Sequence, residues 1–112
     1  MKIYHNPRCS KSRQTLAIIE ENNQPVEVIK YLDDIPSKAT LKKIISLLNI
    51  SPIALVRKNE AIWKEEYKGK NLSEEDIIDA MHKHPKLIER PIVIKGEKAI
   101  IGRPPENVKT LF

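Results

Sequence analysis

The only cysteine in the chain, Cys9, lies in a segment from His5 to Arg13 that also holds Arg8, Lys11 and Arg13 and contains no acid. A thiol acts as nucleophile or redox group through its thiolate, and a free thiol is only a few per cent ionised at neutral pH. Positive charge around the sulfur moves that balance toward the thiolate. Arg8, Lys11 and Arg13 are placed to supply it, and His5 is a further candidate. The chain carries a formal net charge of +5 from 20 Lys and Arg against 15 Asp and Glu. Without the three cations of this segment the balance is 17 against 15, or +2, so more than half the excess surrounds the thiol.

Spacing narrows the chemistry. A dithiol redox site needs Cys-x-x-Cys, but here the run is Cys9-Ser10-Lys11-Ser12, and a serine cannot resolve a mixed disulfide. A phosphatase-type loop needs an arginine several residues beyond the cysteine, and Arg13 is only four away. Metal binding is not expected: Cys9 with His82 and His84 gives no standard ligand spacing, and these histidines read as solvent-facing helix residues. A lone free cysteine is often simply a small buried hydrophobe. Polar, basic neighbours and a position at a strand-to-helix turn favour the reactive reading instead.

The elements that must position Cys9 follow from periodicity. Lys2 to His5 reads as a short strand, and Asn6-Pro7 as a turn. A helix then starts near Cys9 or Ser10 and runs to about Asn22, burying Leu16 and Ile19. Its free N–H groups and positive end favour an anion at the position of Cys9, though the helix end alone contributes only ~0.3–1 kcal/mol. Asn22-Asn23-Gln24-Pro25 stops the helix, and Val26 to Tyr31 is β-branched and strand-like. Such a strand–helix–strand unit makes its two strands parallel. The middle is helical: Ser37 caps a helix with Leu41, Ile44, Ile45 and Leu48 on one face, Ser51-Pro52 starts another, and Ser73-Glu74-Glu75-Asp76 resembles a capping box. Pro91 to Ile94 and Ala99 to Ile101 read as a hairpin about a Lys95-Gly96-Glu97-Lys98 turn. Pro104 to Leu111 reads as a closing helix with a proline in its first turn. The expected fold is α/β: a four-stranded mixed sheet, βαβ then ββα, with a helical insertion at residues 37–88 of a single domain spanning 1–112.

At 112 residues, 40% hydrophobic and 31% charged, the chain matches an ordinary soluble domain able to bury one core. One cysteine excludes an internal disulfide and suits a reducing compartment. The N-terminal residues lack the apolar core of a signal peptide, and no apolar run approaches the ~18 residues of a membrane span. The cytoplasm is the expected location, with neither membrane nor nucleic acid as partner.

The run Ile3-Tyr4-His5-Asn6-Pro7-Arg8-Cys9-Ser10-Lys11-Ser12-Arg13 resembles the active-site segment of the arsenate reductases that use glutathione and glutaredoxin. Leu55-Val56-Arg57-Lys58-Asn59, Leu87-Ile88-Glu89-Arg90-Pro91-Ile92-Val93 and Ile101-Gly102-Arg103-Pro104 resemble that family too, in the family's order. The resemblance implies a thioredoxin-like fold, Cys9 as nucleophile and His5 as the residue that tunes it. It also implies Arg57, Arg90 and Arg103 as oxyanion ligands and a cis peptide before Pro91; Arg8, Ser12 and Arg13, beside Cys9 in the sequence, are candidates for support. The implied substrate is arsenate or a similar oxyanion. Glutathione is the implied co-substrate and glutaredoxin the protein partner, with no bound cofactor. Planar, bidentate guanidinium groups suit a tetrahedral dianion.

Two other functions share parts of this pattern. Spx-type regulators, which bind RNA polymerase, typically carry Cys-x-x-Cys; this chain has Ser12 there and retains His5 and Arg103. A glutathione-linked thiol–disulfide oxidoreductase acting on another substrate would use the same Cys9 thiolate.

Overall fold

The computed structural model describes residues 1–112. Residues 1–34 and 90–112 form one compact unit, and residues 35–89 a second.

The first unit holds a four-stranded sheet in the order β2-β1-β3-β4. Strand β1 (Lys2–His5) is followed by helix α1 (Ser10–Glu21) and strand β2 (Glu27–Lys30). β1 and β2 pair in parallel, with His5 opposite Lys30, as a βαβ crossover requires. Strands β3 (Ile92–Lys95) and β4 (Lys98–Ile101) form the hairpin, and β3 pairs antiparallel with β1. This is the expected thioredoxin-like α/β sheet. The hairpin is tighter than the sequence suggests. Lys95 and Lys98 pair within the ladder, leaving Gly96-Glu97 as a two-residue loop with Gly96 at φ +62°. A glycine in the first loop position is what a type II′ hairpin turn selects.

The core of this unit is Ile3, Ile19, Val93, Val108 and Leu111, with Leu16 and Val26 partly buried against it. α1 therefore buries Ile19 as expected but not all of Leu16; its other buried residues are the polar Ser12 and Thr15. Asn22 and Asn23 end α1 with Asn23 in the left-handed region, where the Gln24 N–H bonds the Ile19 carbonyl at 3.2 Å. The closing helix is 3₁₀, not α: Pro105–Leu111 buries Pro105, Val108 and Leu111. Their spacing of three matches the three residues per turn of a 3₁₀ helix, which puts all of them on one side.

In the second unit, α2 (Lys38–Leu48) is capped by the Ser37 hydroxyl and buries Leu41, Ile44 and Ile45, with Leu48 only partly covered. α3 (Ala61–Glu66), too short for a periodic signal, was not anticipated in the sequence. α4 (Glu74–Lys83) carries the full Ser73–Asp76 capping box. α2 and α4 pack together, and Lys38–Asp79 (2.7 Å) and Lys42–Glu75 (2.6 Å) bridge their exposed edges. Two short 3₁₀ turns, Pro52–Leu55 and Pro85–Leu87, flank an antiparallel bridge between Val56 and Ile88.

The hairpin loop sets the register of the strands whose ends carry Arg90 and Arg103. Nothing lies within 4 Å of a Cβ placed on Gly96, so a substitution there meets only backbone strain. Gly96→Ala is expected to lower stability by about 1 kcal/mol in urea titration. An unchanged midpoint would contradict the left-handed loop geometry.

Candidate active site

Cys9 is the N-cap of α1, with extended backbone angles (φ −93°, ψ 121°), and it is partly exposed. Its N–H bonds the Asn6 carbonyl at 3.0 Å, and its own carbonyl accepts the first helical bond, from Arg13 N–H, at 3.0 Å. The loop from Asn6 to Cys9 is thus a closed turn that ends on the helix. Its sulfur stands at the end of α1 where backbone N–H groups are unpaired and the helix field favours negative charge. Asn6 Oδ1 accepts the Arg8 N–H at 3.0 Å, and Arg13 Nη1 donates to the Pro7 carbonyl at 2.9 Å.

Beneath the loop lies a small buried polar cluster. Ser12 is fully buried, His5 is 6% exposed and Asn6 8%. Ser12 Oγ accepts the Asn6 N–H at 3.0 Å and lies 2.6 Å from His5 Nδ1. Burial pushes the His5 pKa below the usual histidine value. The charges of Lys30 and Arg13 act in the same direction, and Glu20 opposes them. The ring is therefore neutral at neutral pH. We assign its proton to Nε2, because the Ser12 hydroxyl can then donate to Nδ1 while accepting from Asn6.

The third component comes from the far end of the chain. Arg103 follows β4, and its Nη1 approaches Cys9 Sγ at 3.7 Å and donates to the Arg90 carbonyl at 3.3 Å. Pairing of β1 with β3 carries the segment after Arg90 alongside the strand that ends at His5. A partly exposed sulfur at a helix start, with a guanidinium beside it, can attack an electrophilic centre that carries anionic oxygens.

The ArsC family profile matches residues 4–111. The chain belongs to the ArsC family. It is 49% identical to the uncharacterized protein YfgD of Escherichia coli K12, over 96% of this chain and 92% of that protein. It is 42% identical to an arsenate reductase of Neisseria meningitidis, over 100% of this chain and 97% of that one. Among solved structures, an arsenate reductase from Vibrio cholerae superposes with a TM-score of 0.94 at 45% identity, covering 100% of this chain and 98% of that one.

Within this ArsC-family fold, the first unit brings together Cys9, His5, Ser12, Arg13 and Arg103, with the Arg90 carbonyl as a strut. Several sequence expectations change in detail. His5 does not supply positive charge, because it is buried and neutral. Arg13 serves the loop through Pro7, while Arg8 and Lys11 are exposed. Arg57 lies in the second unit, half-buried, bonding Glu60 Oε1 at 3.0 Å and facing Glu89 Oε1 at 3.7 Å. His82 and His84 are not free helix-surface residues. His82 Nδ1 bonds the Pro36 carbonyl at 2.9 Å, and His84 ends α4 beside the Tyr67 ring and Glu66. A cleft of about 440 Å³ in the second unit, lined by Ile53, Lys58, Trp63, Tyr67 and Leu72 among others, does not include Cys9. The peptide before Pro91 is cis, as the resemblance implies, and so is that before Pro104. Missed in the sequence were Thr15, buried beside Gly102, and the role of the Arg90 backbone. Polar residues on the inner face of an otherwise amphipathic helix were the available signal.

A histidine with a lowered folded-state pKa takes up protons less readily than in the unfolded chain. Stability should therefore fall as pH drops below the ordinary histidine value of about 6.5. His5→Gln should flatten the decline between about pH 6.5 and 5, above the main carboxylate range. Equal slopes for both proteins in denaturant titrations would contradict a buried neutral His5.

Proposed function

We propose that the protein reduces arsenate to arsenite through a covalent adduct at Cys9, with glutathione and glutaredoxin supplying the electrons. The observation that carries this reading is the Arg103 guanidinium at 3.7 Å from the Cys9 sulfur, at the start of α1. A cationic donor beside the nucleophile supports an anionic, oxygen-bearing substrate there. Relatives of nearly the same length that bear the name arsenate reductase support arsenate as that oxyanion.

The steps follow from electron counting. Cys9 thiolate attacks arsenic, and one arsenate oxygen leaves as water after protonation. Glutathione thiolate then attacks the Cys9 sulfur. The sulfur–arsenic bonding pair goes to arsenic, which departs as arsenite, and a Cys9–glutathione disulfide remains. Ser12 has no sulfur to resolve that bond, so a glutaredoxin thiolate attacks the glutathione sulfur and frees Cys9. Arg103, Arg90 and Arg57 are the oxyanion ligands in this reading. Arg103 rests on geometry; the family resemblance assigns the side chains of Arg90 and Arg57. Neutral His5, held by Ser12, tunes the thiol through the loop it braces. The reading implies an enzyme of the cytoplasm.

Purified protein with arsenate, glutathione and glutaredoxin should release arsenite, and Cys9→Ser should release none. Arg103→Ala should slow release about 10- to 100-fold, the cost of losing one oxyanion donor in a site open to solvent. Reduction of disulfides without any arsenite would overturn the proposal in favour of a thiol–disulfide oxidoreductase. Retained turnover in Cys9→Ser would remove the mechanism altogether.

The mixed disulfide can be tested separately. Intact mass after treatment with oxidised glutathione should show one glutathione per chain, removable by glutaredoxin. No mass change under excess reagent would exclude glutathione as the second thiol.

A further inference from the structure

Thr15 is completely buried, one helical turn beyond Ser12 on the same inner face of α1. Its hydroxyl donates to the Lys11 carbonyl at 2.8 Å and lies 3.4 Å from the Gly102 carbonyl. Gly102 is also buried, and it has no room for a side chain. A Cβ there would fall 2.5 Å from Thr15 Oγ1, 3.0 Å from Thr15 Cγ2 and 2.8 Å from Pro91 Cγ. Glycine is required by space here, not by backbone angles. The backbone after β4 therefore rests directly on the Thr15 side chain.

That backbone carries Arg103. The Gly102 N–H bonds the Pro91 carbonyl at 2.9 Å, and the Arg103 N–H bonds the Ile101 carbonyl at 2.9 Å. From the other side Asn107 Nδ2 donates to the Arg103 carbonyl at 3.2 Å. On the side facing α1, the turn is in contact with Thr15. Helix α1 also carries Cys9 at its start. Thr15 is thus a buried side chain through which the helix bearing the nucleophile meets the turn bearing the guanidinium at Gly102.

We propose that Thr15 is a positioning residue, whose side-chain volume against Gly102 sets where the Arg103 guanidinium meets the Cys9 sulfur. Shape, not the hydroxyl, carries this function, because the hydroxyl proton already goes to Lys11 at the shorter distance. The inference rests on the reading of Arg103 as a partner of Cys9, but its test needs no arsenate.

The readout is the ratio of Cys9 alkylation rates with anionic iodoacetate and neutral iodoacetamide. A guanidinium beside the sulfur raises that ratio, and Arg103→Ala should lower it about two- to fivefold, as for a charge contact at the surface. Thr15→Ala should lower it to the same level and have no further effect in the Arg103→Ala background. Thr15→Val, which keeps the shape without the hydroxyl, should restore the ratio. Where Thr15→Ala does not fold, Thr15→Ser, which removes only the Cγ2 methyl, should give a partial drop. The proposal is overturned if folded Thr15→Ala or Thr15→Ser keeps the wild-type ratio. It is equally overturned if the drop persists in the Arg103→Ala background, or if Thr15→Val behaves like alanine. Loss of arsenite release with the expected alkylation pattern would count against the proposed function and leave this contact standing.

Discussion

A single buried hydroxyl ties the end of the first strand to the start of the first helix. Ser12 accepts the Asn6 N–H at 3.0 Å and donates to His5 Nδ1 at 2.6 Å. A buried polar group left without partners costs roughly 1–3 kcal/mol, so each member of this cluster holds the others in place. Because His5 ends β1 and Ser12 lies in the first turn of α1, their bond fixes the span of the loop between them. Cys9 is the last residue of that loop. Its position at the cap, and the electrostatics that follow from it, depend on this tie.

The guanidinium side of the site depends on strand order. β3 lies between β1 and β4, so the residues that precede β3 and follow β4 come to the same end of the sheet. That is how Arg90 and Arg103 meet across 13 residues of sequence, the one through its carbonyl and the other through its side chain. Arg103 is exposed, so its attraction for an anion is screened by salt more than a buried contact would be. Under the proposed function, catalysis there would draw on local geometry, the helix start and the guanidinium acting on one sulfur, more than on a dry, low-dielectric pocket.

Much of this was legible in the sequence because the signals are local. Ser37 and Ser73 precede apolar stripes and cap their helices; Gly96 marks the hairpin; Cys9 follows a short strand and a proline turn. The parallel pair and the antiparallel pair followed from the right-handed crossover and the hairpin, and the pairing of β3 with β1 joins them into one sheet. What was illegible is tertiary. Ser12 and Thr15 look like exposed helix residues until their partners, His5 and Gly102, are brought beside them. His5 looks like a cation until burial lowers its pKa. The last helix looks α-helical until the spacing of Pro105, Val108 and Leu111 is seen to match a tighter turn. The grouping of Arg57, Arg90 and Arg103 came from family likeness, since no spacing rule links residues that far apart.

The most direct test of the account is a crystal structure of the reduced protein soaked in arsenate, read at the arsenic absorption edge. The anomalous signal should lie within bonding distance of Cys9 Sγ, with the oxygens of the anion on Arg103. Arsenic bound elsewhere, with Cys9 reduced and Arg103 turned away from it, would contradict the assignment of this loop as the site of chemistry.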